Sequence, residues 1–316
     1  MTTWNNYYQA HSLEDAIAVL TQSPSTNQII AGGTDLLLEI QQGRHPPANT
    51  LVDITTIPEL NHLEATTEYL WIGSAVPLAQ LIAWQPLRQN CQALYEAINL
   101  IGGPQVRNVA TLGGNVAHAL PAADGAIALL ALDATVWIAA PQGEQKVGVD
   151  SMLETTPEGI PIHPEKVNLR KQPLLDCYAA PGKSTLSAGE ILVAFQIPLR
   201  RAGESSAFRR VMRPQGVAIA IQNMAVWLRQ EKGTIADIRI ALGPAGPKPL
   251  RAYLAEEKLR GQRLSQVNLS EASAAILAEA RFRTSPHRAT AEYRQHLTGI
   301  LLNETLYQAG LGAGSQ

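Results

Sequence analysis

Cysteine is scarce in this chain: two in 316 residues, Cys91 and Cys177. That is too few for a disulfide framework, a thiolate zinc site or an iron-sulfur cluster on four cysteines. Any redox chemistry must be supplied by another group, and the two thiols read as buried small residues. Net charge is also lacking. At −2, the chain has no excess of positive charge with which to neutralise a phosphate backbone or an anionic membrane, which argues against nucleic acid as a partner. Long apolar runs are missing too. The two most apolar stretches, Gly125 to Ala140 and Val217 to Leu228, fall short of a bilayer span and contain Asp133 and the pair Gln222-Asn223, so they read as core rather than membrane insertion. The first residues, Met1-Thr2-Thr3-Trp4-Asn5-Asn6-Tyr7-Tyr8, carry neither a basic n-region nor an apolar h-region, which predicts a cytoplasmic protein. There is no internal repeat and no low-complexity tract. The seven histidines are scattered without metal-ligand spacing, so no metal site is expected. No Gly-x-Gly-x-x-Gly follows a strand, which excludes the common dinucleotide fold.

What is present is 46% hydrophobic and 16% charged, enough for a sizeable core in two domains. Ser12 is a plausible N-cap, followed by Leu13, Ala16, Ile17 and Leu20 on one helical face. Gln28 to Ala31 then gives a short strand, Gly32-Gly33 a turn, Thr34 to Ile40 a helix, and Leu51 to Ile54 a second strand. This order predicts a small parallel α/β layer over about residues 1–55. Further strands are expected at 69–72 and 134–138, with helices from Pro77, from Pro86 to Leu100 and from Ala122 to Leu132. Prolines and glycines from Pro141 through Pro181, including Thr156-Pro157-Glu158-Gly159 and His163-Pro164, read as hairpins and loops. A domain boundary fits at 175–185, set at 177/178. Beyond it strands are expected at 191–197, 207–212, 219–228 and 235–242, then helices at 250–259, 270–280 and 286–306, with a frayed tail from Gly310. The fold class is α+β.

Two glycine pairs could carry chemistry: Gly32-Gly33 after a strand, and Gly113-Gly114 within Thr111-Leu112-Gly113-Gly114-Asn115. Glycine removes the side chain that blocks close approach and permits positive φ, so successive N–H groups can converge on a phosphate oxygen. Thr34, Thr111 and Asn115 add polar groups beside them. Either pair alone could be a bland turn, as Gly102-Gly103 before Pro104 is read. Two such loops, each followed by an apolar helix, favour a diphosphate ligand. Gly243 to Pro249 is instead a rigid turn, because its prolines lack the N–H groups a phosphate loop needs. His118 either approaches a ligand or bonds a nearby carbonyl.

Ala31-Gly32-Gly33-Thr34-Asp35-Leu36-Leu37 and Thr111-Leu112-Gly113-Gly114-Asn115-Val116-Ala117, with Pro121 and Asp124 downstream, resemble the two FAD-binding motifs of the medium subunits of the molybdenum hydroxylase family, the xanthine dehydrogenase and carbon monoxide dehydrogenase type. The resemblance extends through Ile72 to Val76, Gly189-Glu190-Ile191-Leu192 with Pro198, Ala207-Phe208-Arg209 and Tyr293-Arg294, in order along nearly the whole chain. It implies a non-covalent FAD domain over 1–177, its second subdomain (56–177) a mainly antiparallel sheet with helices. A C-terminal flavoprotein domain with a small antiparallel sheet and helices would follow over 178–316.

By this resemblance the pyrophosphate rests on Ala31, Gly32, Gly33, Thr34 and Asp35, with Ile29 and Ile30 leading in. Thr111, Leu112, Gly113, Gly114 and Asn115 hold the phosphates and ribityl chain, and Asp124 accepts from a cofactor hydroxyl. Ile101 and Leu192 lie against the ring system, and Arg209 near its polar edge. The implied role is electron transfer from a [2Fe-2S] subunit, itself served by a molybdopterin subunit, through FAD to an outside acceptor, in a heterotrimer or a dimer of heterotrimers. No catalytic acid, base or nucleophile of the chain itself is invoked. Leu120 stands where relatives often have Ser, and Ala218, in Pro214 to Ile219, where they often have an acidic residue. The four-cysteine insert of some relatives is missing. A stand-alone FAD-dependent oxidoreductase and a cofactor-free assembly subunit are the alternatives.

Overall fold

The computed structural model describes residues 3–142, 162, 167–213 and 219–314. The expected turns at 156–159 and 163–164, and the loop 214–218 with Ala218, lie outside the described residues. The chain builds the expected α+β architecture.

The first layer comprises β1 (Trp4–Gln9), α1 (Leu13–Gln22), β2 (Asn27–Ile30), α2 (Leu36–Gln41) and β3 (Ala48–Asp53), with the strands all parallel in the order β1-β3-β2. Ser12 Oγ accepts from Asp15 N and caps α1, whose buried face is Leu13, Ala16, Ile17 and Leu20. Strand β1 escapes the pattern reading because it has no apolar alternation. It is an exposed edge strand, held by its ladder to β3 and by Tyr7 and Tyr8, whose hydroxyls donate to Asp53 and Asp15.

The second layer runs through β4 (Leu63–Ala65), β5 (Tyr69–Gly73), α3 (Leu78–Ala83), α4 (Gln85–Asn90), α5 (Gln92–Asn99), α6 (Pro104–Arg107), α7 (Leu112–Ala117), α8 (Asp124–Ala131), β6 (Thr135–Ala140), β7 (Asn168–Pro173), the hairpin β8 (Tyr178–Ala180) and β9 (Lys183–Ser184), and β10 (Ile191–Pro198). The main sheet is antiparallel in the order β4-β5-β10-β6-β7. One face covers α5, α7 and α8. The other buries Trp71 against Trp137, ring centroids 5.4 Å apart. Either tryptophan cut to alanine would cost on the order of 3–5 kcal/mol. The single helix expected from Pro86 to Leu100 is two. Cys91 turns out of helical geometry (φ −128°, ψ 59°) and buries its thiol wholly in the core.

A division at 177/178 would cut β10, the central strand, away from this sheet. The sheets separate instead after Pro198, where β11 (Glu204–Val211) opens a second antiparallel sheet with β12 (Gln222–Glu231), β13 (Thr234–Gly243) and β14 (Leu250–Arg251). Helices α9 (Tyr253–Leu259), α10 (Leu269–Glu279) and α11 (Ala291–Gly314) pack against it. The helix expected from Leu250 begins only at Tyr253, because Leu250 and Arg251 pair with β13. Helix α11 starts later than Pro286, where Thr290 Oγ1 accepts from Tyr293 N. Its end is not frayed. Ser205 Oγ, Gln230 Nε2 and Arg200 Nη2 donate to the carbonyls of Ala309, Gly310 and Gly312, the last of them one of the carbonyls that a helix end leaves without a partner. Among the described residues no helix is long and apolar enough to cross a membrane.

Candidate functional site

The first glycine loop leaves the C-terminal end of β2, where parallel strands commonly open a ligand crevice. Ile29 is half-buried and Ile30 buried, so the lead-in is anchored in the core. Gly32 lies hard against the chain at 109–110. A Cβ there would sit 2.1 Å from the Val109 carbonyl oxygen, so only glycine lets the two loops meet. Gly33 has φ +65°, a left-handed conformation that a side chain would strain. Among the described residues, the N–H groups of Gly32, Gly33, Thr34 and Asp35 donate to no other group. Four consecutive donors with no internal partner are free to receive an acceptor from outside the chain.

The second loop is built differently. Thr111 is buried and caps α7, its Oγ1 accepting from Gly114 N at 3.0 Å. Gly113 N donates to the Ser74 carbonyl at 3.0 Å and Asn115 N to the Thr111 carbonyl at 3.1 Å. These N–H groups are therefore taken, and the expected convergence of backbone donors does not occur here. Gly113 is required by packing, since its Cβ would lie 2.5 Å from the Ser74 oxygen. Leu112 is fully buried in the core. Gly114 is exposed, and a Cβ there would meet only Thr111 Oγ1, at 3.3 Å. Beside it Asn115 Oδ1 is buried with no hydrogen-bond partner, as is Ser74 Oγ. An orphaned amide oxygen next to an open glycine surface fits a ligand that donates a hydroxyl.

His118, at the end of α7, bonds neither a carbonyl nor open space. Its ring lies between carboxylates of the first loop and α2, Nε2 3.1 Å from Glu39 Oε1 and Nδ1 3.5 Å from Asp35 Oδ2. Together with the Gly32 contact, it ties the two glycine loops into one surface.

Asp124 starts α8, one residue before Gly125, whose own Cβ would sit 2.7 Å from Asn115 Oδ1. The carboxylate is 6% exposed and already engaged: Arg210 Nη1 donates to Oδ2, and Asn223 Nδ2 to Oδ1 at 2.6 Å. Burial pushes the Asp124 carboxyl above its usual range, while Arg210 and Asn223 pull it back. Arg210 also donates to the Leu100 carbonyl, beside half-buried Ile101, whose own carbonyl accepts from Arg107 Nη1 at 3.1 Å. Leu192 is 5% exposed in β10, in the core that includes Leu112 and Val116. Arg209 faces the other way, its Nη1 3.1 Å from Glu96 Oε2 on α5. The structure thus groups the two loops, Asn115, Asp124 and the Ile101 segment, and separates Arg209 from them. The cluster also takes in Ser74, within the Ile72 to Val76 stretch of the resemblance, and Arg210 and Asn223, which no motif marks. Strand alternation was the available signal, since residues 209 and 210 must point to opposite faces.

A profile described as the FAD binding domain in molybdopterin dehydrogenase matches residues 2–200, and the CO dehydrogenase flavoprotein C-terminal domain matches 206–309. The chain belongs to this family of FAD-binding oxidoreductase subunits. It is 30% identical to the xanthine dehydrogenase FAD-binding subunit of Escherichia coli O157:H7, over 100% of this chain and 99% of the other. Against the carbon monoxide dehydrogenase medium chain of Hydrogenophaga pseudoflava the identity is 27%, covering 96% of each. A crystal structure of the Cu,Mo-CO dehydrogenase in its cyanide-inactivated form contains a chain that superposes with a TM-score of 0.86 at 25% identity, over 98% of this chain and 99% of that one.

Proposed function

We propose that this chain is the FAD-carrying electron-transfer subunit of a multi-subunit molybdenum hydroxylase. Electrons would come from a small [2Fe-2S] subunit, fed by a large molybdopterin subunit, in a heterotrimer or a dimer of heterotrimers located in the cytoplasm. The observation that carries the reading is the run of unpartnered N–H groups from Gly32 to Asp35 beside the open face of Gly114 and the orphaned Asn115 Oδ1.

The bound FAD supplies two-electron storage and release to an outside acceptor; the protein supplies binding, orientation and electrostatics. On this reading Gly32, Gly33, Thr34 and Asp35 hold the diphosphate through backbone donors, with Ile29, Ile30 and Ala31 as their rigid support. Thr111, Leu112 and Gly113 shape the second loop from within, and Gly114 leaves it open. Asn115 Oδ1 accepts from a cofactor hydroxyl. Asp124 holds Arg210 and Asn223 in place, keeping any further lone pair for the cofactor. Ile101 and Leu192 would present apolar surface to the ring system. Arg209, turned toward Glu96, would reach the ring's polar edge only by changing rotamer. We set the junction between the flavin-binding and C-terminal regions at 199–203.

The test is an absorption spectrum of the chain purified alone, and metal analysis of the complex captured with it from its host. Flavin bands, with iron and molybdenum in the captured complex, are expected. Flavin without metals would point to a stand-alone flavoenzyme, and no flavin even after adding FAD would refute the reading.

A further inference from the structure

A cavity of about 110 Å³ lies where the connection between α7 and α8 meets the segment between α10 and α11. Its walls include Pro121, Pro181 and Pro244, which offer no N–H groups. Three arginines line it together with Ser285: Arg283, which is exposed, Arg288, which is half-buried, and Arg294. Among the described residues no carboxylate lines it, and none of the three arginine side chains has an ion-pair partner. Arg294 is 2% exposed, and its Nε is buried without a hydrogen-bond partner. Buried cationic groups are ordinarily paired, because an unpaired charge loses its hydration without compensation. Burial, and then repulsion from its arginine neighbours, lowers the affinity of Arg288 and of Arg294 for their protons.

We infer that this cavity is a binding site for a single tetrahedral oxyanion, a phosphate or the phosphoryl end of a small phosphate monoester. Three neighbouring cations match a dianion better than a monoanion such as a carboxylate, and guanidinium groups donate to phosphate oxygens in fixed forks. The apolar proline walls lower the local dielectric and strengthen the attraction. The volume suits one such group and not a nucleotide, whose pockets run to roughly 300–1,000 Å³. None of residues 29–35 or 111–115 lines it, but it borders the cofactor region at Leu120, Pro121 and Ala122, whose carbonyl accepts from the same Asn223 amide that donates to Asp124.

The experiment is thermal unfolding of the FAD-loaded chain, with inorganic phosphate or glycerol 3-phosphate titrated at constant ionic strength against chloride. A saturable rise in Tm is expected, and the more effective ligand tells a free from a carried phosphoryl group. Arg288→Gln, which alters a half-buried side chain, should weaken the apparent affinity about tenfold or more, and so should Arg283→Gln, with FAD content unchanged in both. No stabilisation beyond that given by chloride would overturn the inference, as would equal binding by both variants. A phosphate effect seen only after FAD is stripped would overturn it too, because that would locate the anion in the cofactor's own cradle.

Discussion

Gly114→Ala separates the two uses of glycine in the second loop. In the chain alone the added methyl group meets only Thr111 Oγ1, at 3.3 Å, and otherwise projects into open space. Gly114 lies inside α7, where replacing glycine by alanine gains about 1 kcal/mol of helix propensity. The Thr111 contact is tight enough to return a few tenths of a kcal/mol of that gain. The cofactor-free variant should therefore unfold no lower than the parent, and up to about 2 °C higher. FAD binding should move the opposite way. A methyl on the open surface holds the ligand off Asn115 and the first loop, and each lost hydrogen bond to a charged group costs roughly 1.5–3 kcal/mol, about ten to a hundredfold in Kd. The assay pairs thermal unfolding of the stripped chain with a flavin fluorescence titration. An affinity within twofold of the parent would refute the claim that this face of α7 holds the cofactor. A fall in Tm with FAD affinity retained would make Gly114 a packing glycine like Gly113.

Other outcomes follow from the same geometry. Gly32→Ala puts a Cβ 2.1 Å from the Val109 carbonyl oxygen, and forced overpacking of this kind costs roughly 1–3 kcal/mol; a Tm equal to the parent's would show that the loops can part freely. Asp124→Asn leaves Arg210 buried without its counter-charge, a loss of roughly 3–5 kcal/mol in urea unfolding. The double variant with Arg210→Met should recover part of that loss, and strict additivity would show the two residues to be uncoupled. Burial pushes the Cys91 thiol up to about 12 and the Cys177 thiol up to about 11. Neither should react with a disulfide reagent at pH 8 unless the chain unfolds, and one fast-reacting thiol would contradict the packing. Both thiols hold their protons more firmly folded than unfolded. Their contribution to stability is complete below the unfolded thiol pKa, about 8.5, and declines as the pH rises towards those folded values. A steeper fall in the urea midpoint between pH 8 and 10 for the parent than for Cys91→Ala would register it.

Periodicity and capping carry local structure well where one face of an element is buried. Helix α1 is legible to the residue because Ser12 caps it and its four apolar positions share a stripe. Strand β1 is illegible for the converse reason. It lies at a sheet edge with both faces largely exposed, so no alternation marks it, and its order comes from a ladder to β3 some forty residues away. The end of α11 fails similarly. Its glycines read as fraying, yet three side chains from β11, β12 and the turn before β11 hold its last carbonyls. A boundary at 177/178 falls before β10, and nothing local tells that β10 returns to the middle of a sheet begun at residue 63.

The two glycine pairs are a sharper case, since the sequence treats them alike and the structure does not. In the first, the glycines let the chain turn back and pass close to Val109 while leaving four successive N–H groups without internal partners. In the second, the helix begins one residue before the pair, so Thr111 and Ser74 take the donors and only the bare surface of Gly114 remains. A motif records which positions must be glycine but not whether the reason is φ, close approach or an open face. Arg209 and Arg210 differ in the same way. Two adjacent arginines on a strand cannot both point at Asp124, and the hydrogen bond from Asn223, across the ladder on β12, comes from the face that holds Arg210. The residue that completes the buried cluster is thus chosen by strand parity and cross-strand register, both of which exist only once β11 and β12 have paired.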